Sequence, residues 1–136
     1  MGASFCRRRT MTPQSAKAKG RLLQQKVVAA ILARFPNLQK DDVRSTSMGA
    51  GGEDVQLSPL ARSTIGKLTV ECKSRSRVAI YPWYFQCLMN APKDTKPLLV
   101  VKQNNAKPLA CVDFEDYMDM VQELYQWRTG TRKTEE

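Results

Sequence analysis

The chain has 136 residues and a formal net charge of +9, and 42% of its residues are hydrophobic. This length is typical of one domain, and no apolar run approaches the ~18 residues that cross a bilayer. Histidine is absent, which excludes Ser-His-Asp and Cys-His catalysis and the common zinc sites. Any catalysis therefore depends on carboxylates, lysine, hydroxyls or a hard metal ion.

The charge is unevenly distributed along the chain. Residues 1–50 hold 10 basic and 2 acidic residues, residues 51–109 hold 9 and 4, and residues 110–136 hold 3 and 7. A basic body with an acidic end favours a polyanionic partner. We expect nucleic acid rather than a membrane, because no basic amphipathic helix carries bulky apolar anchors. Solubility alone is the alternative explanation of the charge.

The ends of the chain are predicted to lie outside the fold. Residues 1–13 have basic side chains without an apolar segment, so they do not resemble a secretory signal. We expect a disordered basic tail over 1–13, one domain over 14–128 and a flexible tail over 129–136. The four cysteines are scattered and form no Cys-x-x-Cys pair. They are predicted to be reduced thiols of a cytoplasmic protein, in the host cytoplasm if the protein is viral.

Hydrophobic periodicity predicts eight elements in chain order. They are a helix over 15–35, strands over 41–48, 53–58 and 66–74, a helix over 80–92, strands over 96–103 and 107–114, and a helix over about 114–128. Pro59 is interpreted as the end of the second strand. This order predicts an α/β sandwich with a central mixed five-stranded sheet flanked by helices.

The two later helices carry apolar residues at helical spacing, and those of the last helix are predicted to face inward. In the helix over 80–92 these are Ile80, Tyr84, Cys87, Leu88 and Ala91. In the last helix, capped by Asp113, they are Phe114, Tyr117, Met118, Val121 and Leu124.

Charged residues interrupt the strongest predicted strand, "GKLTVECKS". Since side chains alternate along a strand, Glu71 and Lys73 share one face while Val70 and Cys72 face the core. Asp54 lies near the start of the preceding strand, where a hairpin-like return can bring it beside Glu71. Two converging carboxylates repel each other unless a cation lies between them. We therefore expect Mg²⁺, with Mn²⁺ able to replace it, and a lysine beside the metal-activated water.

Asp54, sixteen intervening residues and Glu71-Cys72-Lys73 on an apolar strand resemble the PD-(D/E)xK nuclease superfamily. The order of elements is also similar: a basic helix, a Ser- and Gly-containing approach, the Asp strand, the Glu-x-Lys strand, a helix and two strands. Within the superfamily, the small size, "RSTSMGAGGEDV" and "KPLLVVK" look most like the archaeal-type Holliday junction resolvases and their bacteriophage relatives. The resemblance covers roughly residues 15–125.

The resemblance implies a restriction-endonuclease-like sandwich and a role for each matching residue. Asp54 and Glu71 are implied metal ligands, with the backbone carbonyl of Cys72 as a third. Lys73 is the implied catalytic lysine, and Ser47 is implied to lie near the scissile phosphate. Lys102 is implied to contact the substrate or the edge of the active site.

Two positions differ from the family pattern. Glu53 stands where the family often has proline before the aspartate. The resolvases usually carry a glutamate on the first helix that completes the metal site, and here only Gln24 and Gln25 are available. We take Gln25 as the candidate that orients a water molecule. A glutamine adds no charge, so a second metal is expected to bind more weakly.

These features together predict a Mg²⁺-dependent endonuclease that resolves branched, four-way DNA by in-line attack of a metal-activated water. Two equivalent strands at a junction predict a homodimer, and no nucleotide cofactor or membrane is expected. The basic residues expected to contact the DNA backbone are Lys17, Lys19, Arg21, Arg44, Arg75, Arg77 and Lys102. For several of these a solvated surface charge is an equal alternative. The alternative functions are a nuclease of the same fold acting on duplex or single-stranded DNA in repair, replication or restriction, and a non-catalytic basic DNA-binding module.

Overall fold

The computed structural model describes residues 13–46 and 52–131, with side chains from residue 15. These residues form four helices and five strands. In chain order they are α1 (Pro13–Arg34), β1 (Val43–Ser45), β2 (Val55–Leu57), α2 (Pro59–Ile65), β3 (Leu68–Arg75), α3 (Ile80–Asn90), β4 (Lys96–Gln103), β5 (Leu109–Cys111) and α4 (Phe114–Thr129).

The five strands form one mixed sheet in the order β1-β2-β3-β4-β5. β3 and β4 are parallel over eight register pairs, from Leu68↔Lys96 to Arg75↔Gln103, and the other three pairings are antiparallel. A parallel pair needs a crossover, which α3 supplies. The predicted α/β sandwich with a mixed five-stranded sheet is confirmed. The strand β4 has the predicted bounds, whereas β1, β2 and β5 are shorter than predicted.

Each face of the central strands is covered by different helices. On one face, Val70, Cys72 and Val100 belong to the main core with Leu23 of α1 and Ala61 of α2. On the opposite face, Leu99 and Val101 are buried, and α3 packs on β4 and β3. Cys87 of α3 is buried there and lies 3.7 Å from the carbonyl oxygen of Thr69. The sheet is therefore a buried middle layer, and Glu71 belongs to the α3 side.

The short helix α2 was not predicted, whereas the prediction that the second strand ends at Pro59 is confirmed, since β2 ends at Leu57. Ser58 is the N-cap, because its Oγ accepts the N–H of Ala61 at 3.1 Å, and Pro59 opens the helix. A serine before proline is a helix-start signal, since proline at the first helical position loses no hydrogen bond. Ala61 is fully buried, so α2 closes the core beside β2.

The prediction that the apolar face of α4 points toward the core is wrong. Its apolar residues are all exposed, from 38% for Val121 to 70% for Phe114, and no residue of α4 is buried. The helix meets the body through its carboxylates: Lys96 Nζ lies 3.5 Å from Asp116 and 3.8 Å from Asp119. In α3, Cys87 is buried, whereas Ile80 and Leu88 are exposed.

None of the helices in residues 13–46 and 52–131 combines the length and apolar content that crossing a membrane requires.

Candidate active site

Strand β3 carries the predicted pair on one face. Glu71 is 6% exposed, and its Oε1 lies 3.8 Å from Lys73 Nζ. Val70 and Cys72 are buried on the other face, as the alternation of a strand requires. The prediction that Glu71 and Lys73 share a face while Cys72 is turned away is confirmed.

Asp54 joins this pair through the backbone of β3. Its N–H donates to the Val70 carbonyl at 3.0 Å, and its Oδ2 accepts the N–H of Cys72 at 2.7 Å. Val55 pairs with Val70 in the sheet, so Asp54, one residue earlier, lies against β3 at Val70 and Cys72, the positions that flank Glu71. The hairpin-like return expected from the sequence is present, although α2 rather than a tight turn connects β2 to β3.

The chain on either side of residues 47–51 is tied together at the same place. The Thr46 N–H donates to the Asp54 carbonyl at 2.9 Å, and the Thr46 hydroxyl donates to the Glu53 carbonyl. Residues 46 and 53–54 are thereby held side by side at the end of the β1–β2 pair. Ser47, the serine predicted near the scissile phosphate, lies outside the described residues.

Burial raises the pKa of the carboxyl groups of both Asp54 and Glu71. Loss of solvent raises the pKa of Asp54, and the Cys72 N–H and the Lys73 charge oppose this rise. The pKa of Glu71 is raised first by burial and then by the charge of Asp54, while Lys73 opposes both. The negative charge of Asp54 therefore disfavours ionisation of Glu71. A cation between them would relieve both effects.

The donor set fits a hard divalent cation. Glu71 Oε2 is buried and has no hydrogen-bond partner among the described residues, which is costly unless another atom binds it. Burial and the two carboxylates raise the pKa of the Cys72 thiol, so this thiol stays protonated in the core. Its backbone carbonyl points to the same side of β3 as its N–H, toward Asp54. Two carboxylates and a carbonyl, completed by water, are ligands that Mg²⁺ accepts.

No group of three or more His, Cys, Asp or Glu side chains in the described residues is arranged as a metal site. The two carboxylates alone are too few ligands for an all-protein cage. This limits the candidate to a site in which water supplies the remaining ligands.

The first helix presents its two glutamines differently. Gln25, the candidate chosen from the sequence, is exposed. Gln24 is 5% exposed, and its Oε1 has no hydrogen-bond partner among the described residues. α1 packs against β3. The buried glutamine with an unused oxygen is therefore Gln24, which sequence reasoning weighed but did not choose.

Lys19 and Lys102, two of the residues predicted to contact DNA, line the same basic cleft, which has a volume of about 550 Å³. Lys19 and Lys26 of α1 lie on one side, and Lys102 with the turn after β4 lies on the other. Lys19 Nζ donates to Asn104 Oδ1 at 2.9 Å, which holds the helix to the turn. Asn105 adopts a φ of 60° in this turn, a left-handed conformation that asparagine tolerates. Residues 85 positions apart in the chain thus form one positively charged groove.

A second cleft of similar volume lies beside Glu53 and contains the predicted Arg44 together with Arg62. Arg62 was not predicted. It lies 3.3 Å from Glu53 Oε1, and its Nε is buried without a hydrogen-bond partner in the described part of the chain. Because Arg62 belongs to the missed helix α2, recognition of the Ser58-Pro59 start would have been the signal for it.

The other predicted DNA contacts are spread over the surface. Lys17 and Arg21 are exposed on α1. Arg77 is exposed after β3, and Arg75 is half-buried, donating to the Ser74 carbonyl at 2.9 Å. These positions allow phosphate contacts but do not converge on one groove.

Comparisons of the chain with family models, with curated proteins and with solved structures found no match. The site therefore has to be judged on its own geometry and chemistry.

Proposed function

We propose that this chain is a Mg²⁺-dependent endodeoxyribonuclease of the PD-(D/E)xK type that acts on branched DNA. The observation that carries the proposal is the convergence of three side chains: Asp54 bonded to the Cys72 N–H at 2.7 Å, and Lys73 at 3.8 Å from Glu71. A buried carboxylate beside a second one is destabilising for a strand that only packs. Such an arrangement is typical of a functional site.

Each side chain has a task in phosphodiester hydrolysis. Asp54 and Glu71 would hold the cation, with the Cys72 carbonyl as a third ligand. A bound Mg²⁺ supplies a Lewis acid that activates water and neutralises charge on the phosphate. Lys73 orients the attacking water or stabilises the additional charge on the phosphate oxygens.

The basic clefts favour DNA as the substrate. Lys19, Lys26 and Lys102 provide a positively charged groove that suits a phosphate backbone. Such contacts position a strand without reading its sequence. A preference for four-way junctions is part of the same proposal and comes from the resemblance of the motif. A cytoplasmic location, in the host if the protein is viral, is also part of it and comes from the scattered cysteines.

One assay separates this function from its alternatives. The protein is incubated with labelled four-way junction, duplex and single-stranded DNA, each with Mg²⁺ and with EDTA. Symmetric nicks in the junction that require Mg²⁺ support a resolvase, and equal cleavage of duplex indicates another nuclease of this type. Binding without cleavage of any substrate indicates a non-catalytic DNA-binding module.

A second measurement tests the metal site without cleavage. A ligand that binds only the folded state raises the melting temperature, so Mg²⁺ should stabilise the wild type. The Glu71→Gln variant should lose this stabilisation, while Glu53→Gln, which removes a neighbouring carboxylate, should keep it. Equal Mg²⁺ effects in all three proteins would refute the assignment of Glu71 as a ligand.

A further inference from the structure

Helix α4 has one apolar face that nothing in the described part of the chain covers. On a helical wheel, six residues fall within an arc of about 120°. They are Phe114, Tyr117, Met118, Val121, Leu124 and Tyr125, each between 38% and 70% exposed. A single exposed apolar residue is ordinary, but a continuous stripe along about three turns is typical of an interaction surface.

The orientation of α4 turns this stripe away from the protein body. Asp116 and Asp119, which form the ion pairs with Lys96, lie on the opposite side of the wheel from Val121. The start of the helix is also held, because Asp113 caps it by accepting the Asp116 N–H at 3.1 Å. The polar face therefore meets the body, and the apolar face points outward.

We propose that two copies of this chain pair through α4, antiparallel and with a two-fold axis beside Val121. The proposal does not depend on the nuclease function, because it rests on the packing of α4 alone. The homodimer predicted from the symmetry of a four-way junction would then form through α4.

The spacing of the stripe suits pairing with itself. Its members recur at intervals of three and four residues, as in the seam of two packed helices. In an antiparallel pair centred on Val121, five members of the stripe meet members of the partner's stripe, and Phe114 meets Arg128. The resulting pairs are Phe114 with Arg128, Tyr117 with Tyr125, Met118 with Leu124, and Val121 with Val121.

Charge selects the antiparallel arrangement. The first turn of α4 is acidic, with Glu115 and Asp116 after the cap Asp113, and the last turn is basic, with Arg128. Antiparallel packing brings Arg128 to the acidic start of the partner helix and opposes the two helix dipoles. A parallel pair would place the acidic turns beside each other, which is unfavourable.

The area of the stripe is sufficient for a dimer. With about 200 Å² per large side chain, about half of it exposed, the six residues offer roughly 600 Å² per copy. Pairing would then bury roughly 1,200 Å² in total, which is the lower end of the range for specific protein interfaces.

Sedimentation velocity tests the pairing. We expect a dimer for the wild type at micromolar concentration and a monomer for Leu124→Glu, because a charge in the seam is desolvated without a partner. Gln122→Glu adds the same charge on the same helix but outside the stripe, and it should leave the dimer intact. Circular dichroism should be unchanged in both variants, since neither side chain is buried in one copy, and the melting temperature should fall only in Leu124→Glu, which loses the stabilisation that pairing gives. A monomeric wild type, or equal dissociation by both variants, overturns the proposal.

Cysteine cross-linking tests the direction of the helices. A mixture of the Phe114→Cys and Arg128→Cys variants should form a covalent dimer under mild oxidation, whereas Phe114→Cys alone should stay at the wild-type background. Cross-linking of Phe114→Cys with itself would indicate a parallel pair and overturn the antiparallel arrangement. Cleavage assays are not needed for either readout, so failure here is separate from failure of the proposed function.

Discussion

The carboxylate of Asp54 takes the place of a backbone acceptor for Cys72. Just before β2, the Asp54 N–H donates to the carbonyl of Val70 in β3 at 3.0 Å. The next N–H of β3 on the same side, that of Cys72, donates to Asp54 Oδ2 at 2.7 Å. This hydrogen bond fixes the Asp54 carboxylate against β3 at Cys72, the residue between Glu71 and Lys73. A side chain thus continues the ladder at the point where the sheet meets the candidate active site.

Substitution of Asp54 should separate stability from activity. Asp54→Ala leaves the Cys72 N–H without its acceptor, and an unsatisfied buried donor costs about 1–3 kcal/mol of unfolding free energy. Asp54→Asn keeps an oxygen acceptor, so its unfolding free energy in urea should stay closer to the wild type, while the lost charge removes cleavage. Equal stability of the alanine variant and the wild type would show that the bond contributes little.

Substitution of the motif residues on β3 should abolish cleavage but not binding. Glu71→Gln removes a ligand charge, and Lys73→Ala removes the nearby cation. Loss of one such group typically lowers turnover by at least about 100-fold. Junction affinity, measured by gel shift without metal, should remain near the wild type because phosphate contacts lie elsewhere. The control is Glu53→Gln, and full cleavage activity in both motif variants would sink the assignment.

The raised pKa of Glu71 predicts how stability depends on pH. Burial and the Asp54 charge hold the proton on folded Glu71 to higher pH than on the unfolded chain. The folded state therefore binds more protons in that window, and the unfolding free energy falls as the pH rises through it. Glu71→Gln cannot ionise and lacks this loss.

The measurement is urea unfolding in EDTA from mildly acidic to neutral pH. The difference in unfolding free energy between Glu71→Gln and the wild type should grow in favour of the variant as the pH increases. Taking the difference removes groups with the opposite behaviour, such as Asp42, whose pKa is lowered by the Gln39 N–H and by Ser58. Parallel curves for the two proteins would contradict the effect assigned to Glu71.

The basic cleft between α1 and β4 predicts the salt dependence of DNA binding. Lys19→Gln and Lys102→Gln should each weaken binding to any DNA sequence and reduce the slope of log K against log salt by about 1. Lys40→Gln provides the control, because Lys40 is exposed away from this cleft. An unchanged slope for Lys19→Gln and Lys102→Gln would place the DNA on another surface.

Local periodicity was sufficient to predict β3 and the shared face of Glu71 and Lys73. An extended chain alternates its side chains whatever surrounds it, so the shared face of Glu71 and Lys73 follows from their spacing. The bounds of β4 followed from its continuous apolar run. The helix α2 was missed for a local reason, since Pro59 ends β2 and also begins a helix.

Contacts between distant residues decided the rest. Gln24 and Gln25 are adjacent in sequence, and only the packing of α1 on β3 separates a buried amide from an exposed one. The apolar face of α4 is clear from its spacing, but periodicity does not say which surface covers it. Lys96, distant in sequence, forms ion pairs with Asp116 and Asp119 on the polar side of α4, and the apolar side remains exposed.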